Sequence, residues 1–102
     1  MKRRIVIFAP EAEADLLDIE NWLISTASIR TAETFVSRII EFCGSLDIAS
    51  ERGHRRNDIK EGIRIIGFER RVTIAFAVHD DRVDILRIFR AGRDWEEEFE
   101  ES

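Results

Sequence analysis

The sequence predicts an α+β fold: an N-terminal strand, an antiparallel helical hairpin and then a three-stranded antiparallel meander. Three observations carry this. β-branched apolar runs open the chain and recur over its last third, apolar residues return at steps of three and four between positions 11 and 48, and the connections are short. With 102 residues and 44% hydrophobic content the chain has material for one core, so residues 1–102 are expected to form a single domain with 96–102 as an acidic tail.

Arg4-Ile5-Val6-Ile7-Phe8 is apolar on both alternating sets and reads as a short buried strand, stopped by Pro10. Pro10 suits a first helical turn, and Glu11, Glu13 and Asp15 follow where the helix dipole favours negative charge. Ala12, Leu16, Ile19 and Leu23 then keep helical spacing, which predicts a helix over 11–25. After a break at Thr26-Ala27-Ser28, Ser28 is placed to cap a second helix over 29–48, in which Ala32, Phe35, Ile39, Cys43 and Leu46 form the apolar stripe. So short a loop makes the pair an antiparallel hairpin.

Residues 49–58 are polar, contain Gly53, and read as a loop holding His54. Three strand patterns follow at 62–68, 72–78 and 83–89, joined by Glu69-Arg70-Arg71 and His79-Asp80-Asp81-Arg82. In the middle strand Val72, Ile74, Phe76 and Val78 share a heavy face, which the helices are expected to cover, and Thr73, Ala75 and Ala77 share a small one. Strict alternation groups Val83, Ile85 and Phe89 against Leu86 and Ile88, and a strand apolar on both sides predicts a central position flanked by the first strand. The tail, five acids in seven residues, is expected to be frayed or helical because it cannot build a core.

A lone cysteine, Cys43, excludes an internal disulfide and a multi-thiol metal site and fits a reducing compartment, hence a cytoplasmic location. The four apolar residues before Ala9-Pro10 are too few for a secretory signal or a membrane span. The net charge of −5 is segregated: residues 1–51 carry −4, residues 52–95 carry +4 and residues 96–102 carry −5. Fourteen of the sixteen basic residues are Arg, the side chain suited to bidentate, partly desolvated contacts, which favours interfaces.

An RNA-cleaving site needs an acid, a base and cations on the phosphate. This chain has cations, no Tyr and only two Lys, while His54 and His79 read as exposed loop and turn residues. Cys43 falls on a buried stripe, and Glu11, Glu13, Asp15, Asp18 and Glu20 read as a solvated helix face, so neither a nucleophile, a metal site nor a cofactor is expected. The arginines carry more. Arg64 sits between Ile63 and Ile65, and Arg87 interrupts an apolar strand; each pairs either inside the protein, with Asp94, Glu61 or Asp84, or with acids on a partner. Arg90 and Arg93, at the strand's end, are read as partner-facing, and Trp22 and Trp95 as either interface anchors or core caps.

Four segments resemble the ParE branch of the RelE/ParE toxin superfamily. They are Phe8-Ala9-Pro10-Glu11-Ala12-Glu13-Ala14-Asp15-Leu16; the loop Arg52-Gly53-His54-Arg55-Arg56-Asn57-Asp58-Ile59 with the entry Gly62-Ile63-Arg64; Phe68-Glu69-Arg70-Arg71-Val72-Thr73-Ile74-Ala75-Phe76; and Ile85-Leu86-Arg87-Ile88-Phe89-Arg90-Ala91-Gly92-Arg93-Asp94-Trp95. The resemblance covers residues 5–95. The resemblance implies the toxin of a type II toxin–antitoxin pair, neutralised by a ParD-like antitoxin with a ribbon-helix-helix dimer. It further implies DNA gyrase as the target, DNA contact only through the antitoxin, and no membrane. The same scaffold also serves ribosome-dependent ribonucleases of the RelE type, the alternative activity.

Overall fold

In the computed structural model, which describes residues 3–92 and 95–100, the chain runs β1 (Ile5–Phe8), α1 (Pro10–Thr26), α2 (Ile29–Gly44), a 3-10 turn (Ser45–Asp47), β2 (His54–Arg55), β3 (Ile63–Phe68), β4 (Val72–Val78), β5 (Arg82–Arg90) and α3 (Trp95–Glu100). The sheet order is β1-β5-β4-β3-β2, with β1 parallel to β5 and the other pairs antiparallel. β5 therefore lies inside the sheet with β1 beside it, as its two-sided apolar pattern predicts.

Pro10 starts α1 and Ser28 caps α2, its Oγ accepting the Thr31 N–H at 3.0 Å. The stripes Ala12, Leu16, Ile19, Leu23 and Ala32, Phe35, Ile39, Cys43 are buried against Val72, Ile74 and Phe76, so the helices cover the heavy face of β4. The second helix is shorter than the predicted 29–48: it ends at Gly44, and Leu46 completes the stripe from the 3-10 turn. Among the described residues no helix is long and apolar enough to cross a membrane.

Three expectations are corrected. The sheet has five strands, because part of the predicted loop pairs with β3 (His54 with Ile65, Arg55 with Arg64), so His54 lies on an edge strand. Gly53 allows this close approach: its φ is +75°, and an added Cβ would collide with the Ile65 carbonyl. β1 is buried on one side only, since Ile5 (69% exposed) and Ile7 (46%) point away from the helices while Val6 and Phe8 pack on the core. β5 breaks alternation: Ala75 pairs with Arg87 but Phe76 with Ile85, leaving Leu86 as the extra residue of a bulge. Beyond it the faces exchange, so Ile88 joins Val83 and Ile85 in the core, Arg90 turns to the helix side beside Val72, and Phe89 turns to the opposite face.

Candidate functional site

The exchange of faces at the bulge builds a groove where the helical hairpin meets one end of the sheet. Arg90 pairs with Val72 across β4 and β5, and Ala91 N–H donates to the Arg71 carbonyl at 2.7 Å, which fixes that end. Ile19, Leu23, Phe35 and Val72 form the floor of a cavity of about 400 Å³, with Trp22 on one wall and Arg70, Arg71 and Arg90 on the rim. The Arg90 guanidinium lies 4.6 Å from the centre of the Trp22 ring, and Arg71 lies 5.5 Å from that of Phe35. Trp22 remains 43% exposed. Arg70 and Arg90 form no ion pair among the described residues, Arg71 lies near enough to Glu69 for its charge to help lower that carboxyl, and no acid lines the groove. An apolar floor under a rim of guanidiniums can take an apolar side chain and a carboxylate together.

The turn that presents Arg70 and Arg71 is strained. Glu69 (φ 51°) and Arg70 (φ 57°) both sit in the left-handed region, where hairpin turns ordinarily use Asn or Gly. Arg38 of α2 holds this turn by donating twice to Glu69, each bond 2.9 Å. The pair lowers the Glu69 carboxyl below its ordinary range and raises Arg38, chiefly through that hydrogen bonding.

Of the six residues singled out in the sequence, the groove unites Trp22 and Arg90. Arg87 has a partner inside the protein: its Nε and Nη2 donate to Asp15 at 2.8 and 3.1 Å, and Ile88 N–H donates to the same carboxylate at 2.8 Å. Asp15 is thus no solvated face residue, with a side chain only 12% exposed, and it replaces the expected internal partners of Arg87. It accepts from the β5 edge just past the point where β1 ends, which is why an acid is needed at that place on α1. Arg64 lies at the other end of the sheet, paired with Arg55 and Phe76 and donating to the Arg52 carbonyl at 3.3 Å, so the arginines do not form one basic surface. Trp95 begins α3 on the face away from the hairpin, 6.2 Å from Phe89 and under the Arg56 guanidinium at 5.4 Å. Arg93 lies outside the described residues.

His79 Nε2 approaches Asp84 Oδ2 at 3.0 Å, and Asp84 also accepts from Arg82 Nε at 3.1 Å. Cys43 is fully buried, and burial pushes its thiol up to about 12. Among the described residues no group of three or more His, Cys, Asp or Glu side chains is placed to hold a metal ion.

Sequence reasoning missed Arg70 and Arg71. The available signal was the turn itself: Glu-Arg between two β-branched runs is poor turn chemistry, and poor chemistry kept in a tight turn points to a use for the side chains.

Fold and groove together define an α+β protein of the toxin-like scaffold, a helical hairpin on one face of a mixed sheet with a cationic, apolar-floored cleft between them. The chain belongs to the ParE toxin family: the family model for the ParE toxin of the type II toxin-antitoxin system, parDE, matches residues 6–95. It is similar to a solved structure described as the chromosomal ParDE TA system from P. aeruginosa, with a TM-score of 0.76 and 26% identity over 87% of this chain and 97% of that chain. The comparison with curated proteins gives no match.

Proposed function

We propose that this protein is the toxin of a type II pair that acts by inhibiting DNA gyrase, without chemistry of its own, and is neutralised in the cytoplasm by a cognate ParD-like antitoxin. The observation that carries the antitoxin half is the groove, whose apolar floor and rim of three arginines, with no acid in its lining, suit an acidic amphipathic segment. A chain of net charge −5 gains nothing from such a local concentration of cations unless an acidic partner meets it. The antitoxin's ribbon-helix-helix dimer makes the DNA contacts, and this chain meets DNA only through it. The gyrase half rests on membership of the family and on the absence of Tyr, with only two Lys, in the sequence, which leaves few of the groups a RelE-type ribonuclease employs.

The test is induction of the chain alone and together with its neighbouring reading frame. Loss of DNA supercoiling activity and growth arrest, both relieved by the neighbour, are the expected outcome. Codon-specific mRNA cleavage with intact supercoiling would move the reading to the ribonuclease.

A further inference from the structure

Beside the groove, and continuous with it at Thr31, Phe35 and Arg71, lies a second depression of about 300 Å³. Arg30, Thr34 and Arg38 line it from α2, recurring every four residues and so forming one stripe, and no acid lines it. We propose that this depression is the carboxylate-reading half of the partner site. It receives an acidic side chain from the same partner segment whose apolar anchor fills the first groove. The inference rests on the groove being the antitoxin site and adds where the partner's acid goes and what reads it.

Charge and ring geometry support this occupant. The Phe35 ring has two guanidiniums against it, Arg38 at 5.4 Å and Arg71 at 5.5 Å. A guanidinium resting on a ring keeps its in-plane N–H donors, the ones a carboxylate needs. Arg38 already shows that chemistry by donating twice to Glu69, so the protein contains its own example of the ligand at the edge of the site. Arg30 forms no ion pair among the described residues, and Arg71, whose charge helps to lower the Glu69 carboxyl, leaves the hydrogen bonds to it to Arg38, so the donors of Arg30 and Arg71 remain for a second carboxylate. Because the two depressions share the Phe35 and Arg71 wall, one helical turn suits the partner: an apolar residue with an acid three or four positions away, about 5–6 Å apart.

The probe is the antitoxin that relieves growth arrest, titrated against full-length toxin at low and high salt. R30E/R71E is expected to weaken binding roughly 100-fold, to flatten the salt dependence, and to leave the melting temperature unchanged, because neither side chain is buried. R30Q/R71Q, gentler on folding, should show the same trend at roughly tenfold. A Glu→Arg change at the partner's matching acid should recover part of the loss. If the paired variants bind within threefold of the parent while W22A and R90E weaken binding, the second depression is not used and this proposal falls with the groove reading intact. Parent-like binding by W22A and R90E as well would overturn both. Single-stranded DNA added as competing polyanion should not displace the antitoxin; displacement that R30E/R71E abolishes would assign the depression to nucleic acid instead.

Discussion

Asp15 shows how much one side chain can carry that its sequence neighbourhood conceals. Among five acids at the start of α1 it looks like dipole stabilisation, and its true partners, Arg87 and Ile88, stand more than seventy residues away. With side chains 12% and 18% exposed, the Asp15–Arg87 pair is shielded enough for its loss to matter. D15A removes the acceptor for Ile88 N–H and strands the Arg87 charge, so it is expected to cost about 2–4 kcal/mol in urea unfolding. D15N, which keeps an oxygen for Ile88, should cost less. Cys43 was legible, since a cysteine on an apolar helical stripe is a core residue, and its chemistry follows from burial. With the folded thiol near 12 and the unfolded value at 9.0, its contribution is present below pH 9 and is lost as pH rises toward 12, when only the unfolded chain ionises. At pH 8 a thiol reagent should label the folded protein at the rate of its opening reactions and the denatured protein at once; immediate labelling of the folded protein would contradict the burial.

Helices and strands were readable because apolar periodicity survives packing, while bulge and edge details were not because each depends on one residue. The cap is a clear case of the first kind: Ser28 precedes the periodic stripe and accepts the Thr31 N–H, so S28A should lower stability by about 1 kcal/mol in thermal unfolding. The bulge at Leu86 is the second kind. Alternation alone places Phe89 in the core and Arg90 opposite, whereas one extra residue exchanges them and thereby brings Arg90 to Trp22. The β3–β4 turn extends this contrast into function. Replacing Glu69-Arg70 by Asn-Gly fits the left-handed backbone, and the exposed Arg38–Glu69 pair it removes contributes little. The double variant is therefore expected to melt about 4 °C higher while binding antitoxin more weakly, a gain in stability at the expense of recognition. A variant that melts lower would show that the clamp outweighs the strain.

At the scale of the whole molecule the sequence disclosed the segregation of charge but not its division in space. The second half is basic as a block of sequence, yet antiparallel strands send Arg64 and Arg90 to opposite ends of the sheet, four residues apart along β4 or about 13 Å. The start of α3 completes the pattern on the face away from the hairpin. There Trp95 rests against Phe89, itself 2% exposed, and Glu96 receives Arg56 at 3.2 Å, a guanidinium that also serves Asp58. Both contacts precede residue 97, and the only apolar side chain beyond that point is Phe99. Deleting residues 97–102 should therefore leave the melting temperature within about 2 °C of the parent, since a segment with one apolar side chain has little to bury. W95A is expected to cost far more, about 2–3 kcal/mol of stability at the midpoint, because removing a partly buried aromatic leaves Phe89 uncovered. If the deletion proves as costly as W95A, Phe99 is part of the core; if neither variant matters, α3 is not held to the sheet under the conditions of the measurement.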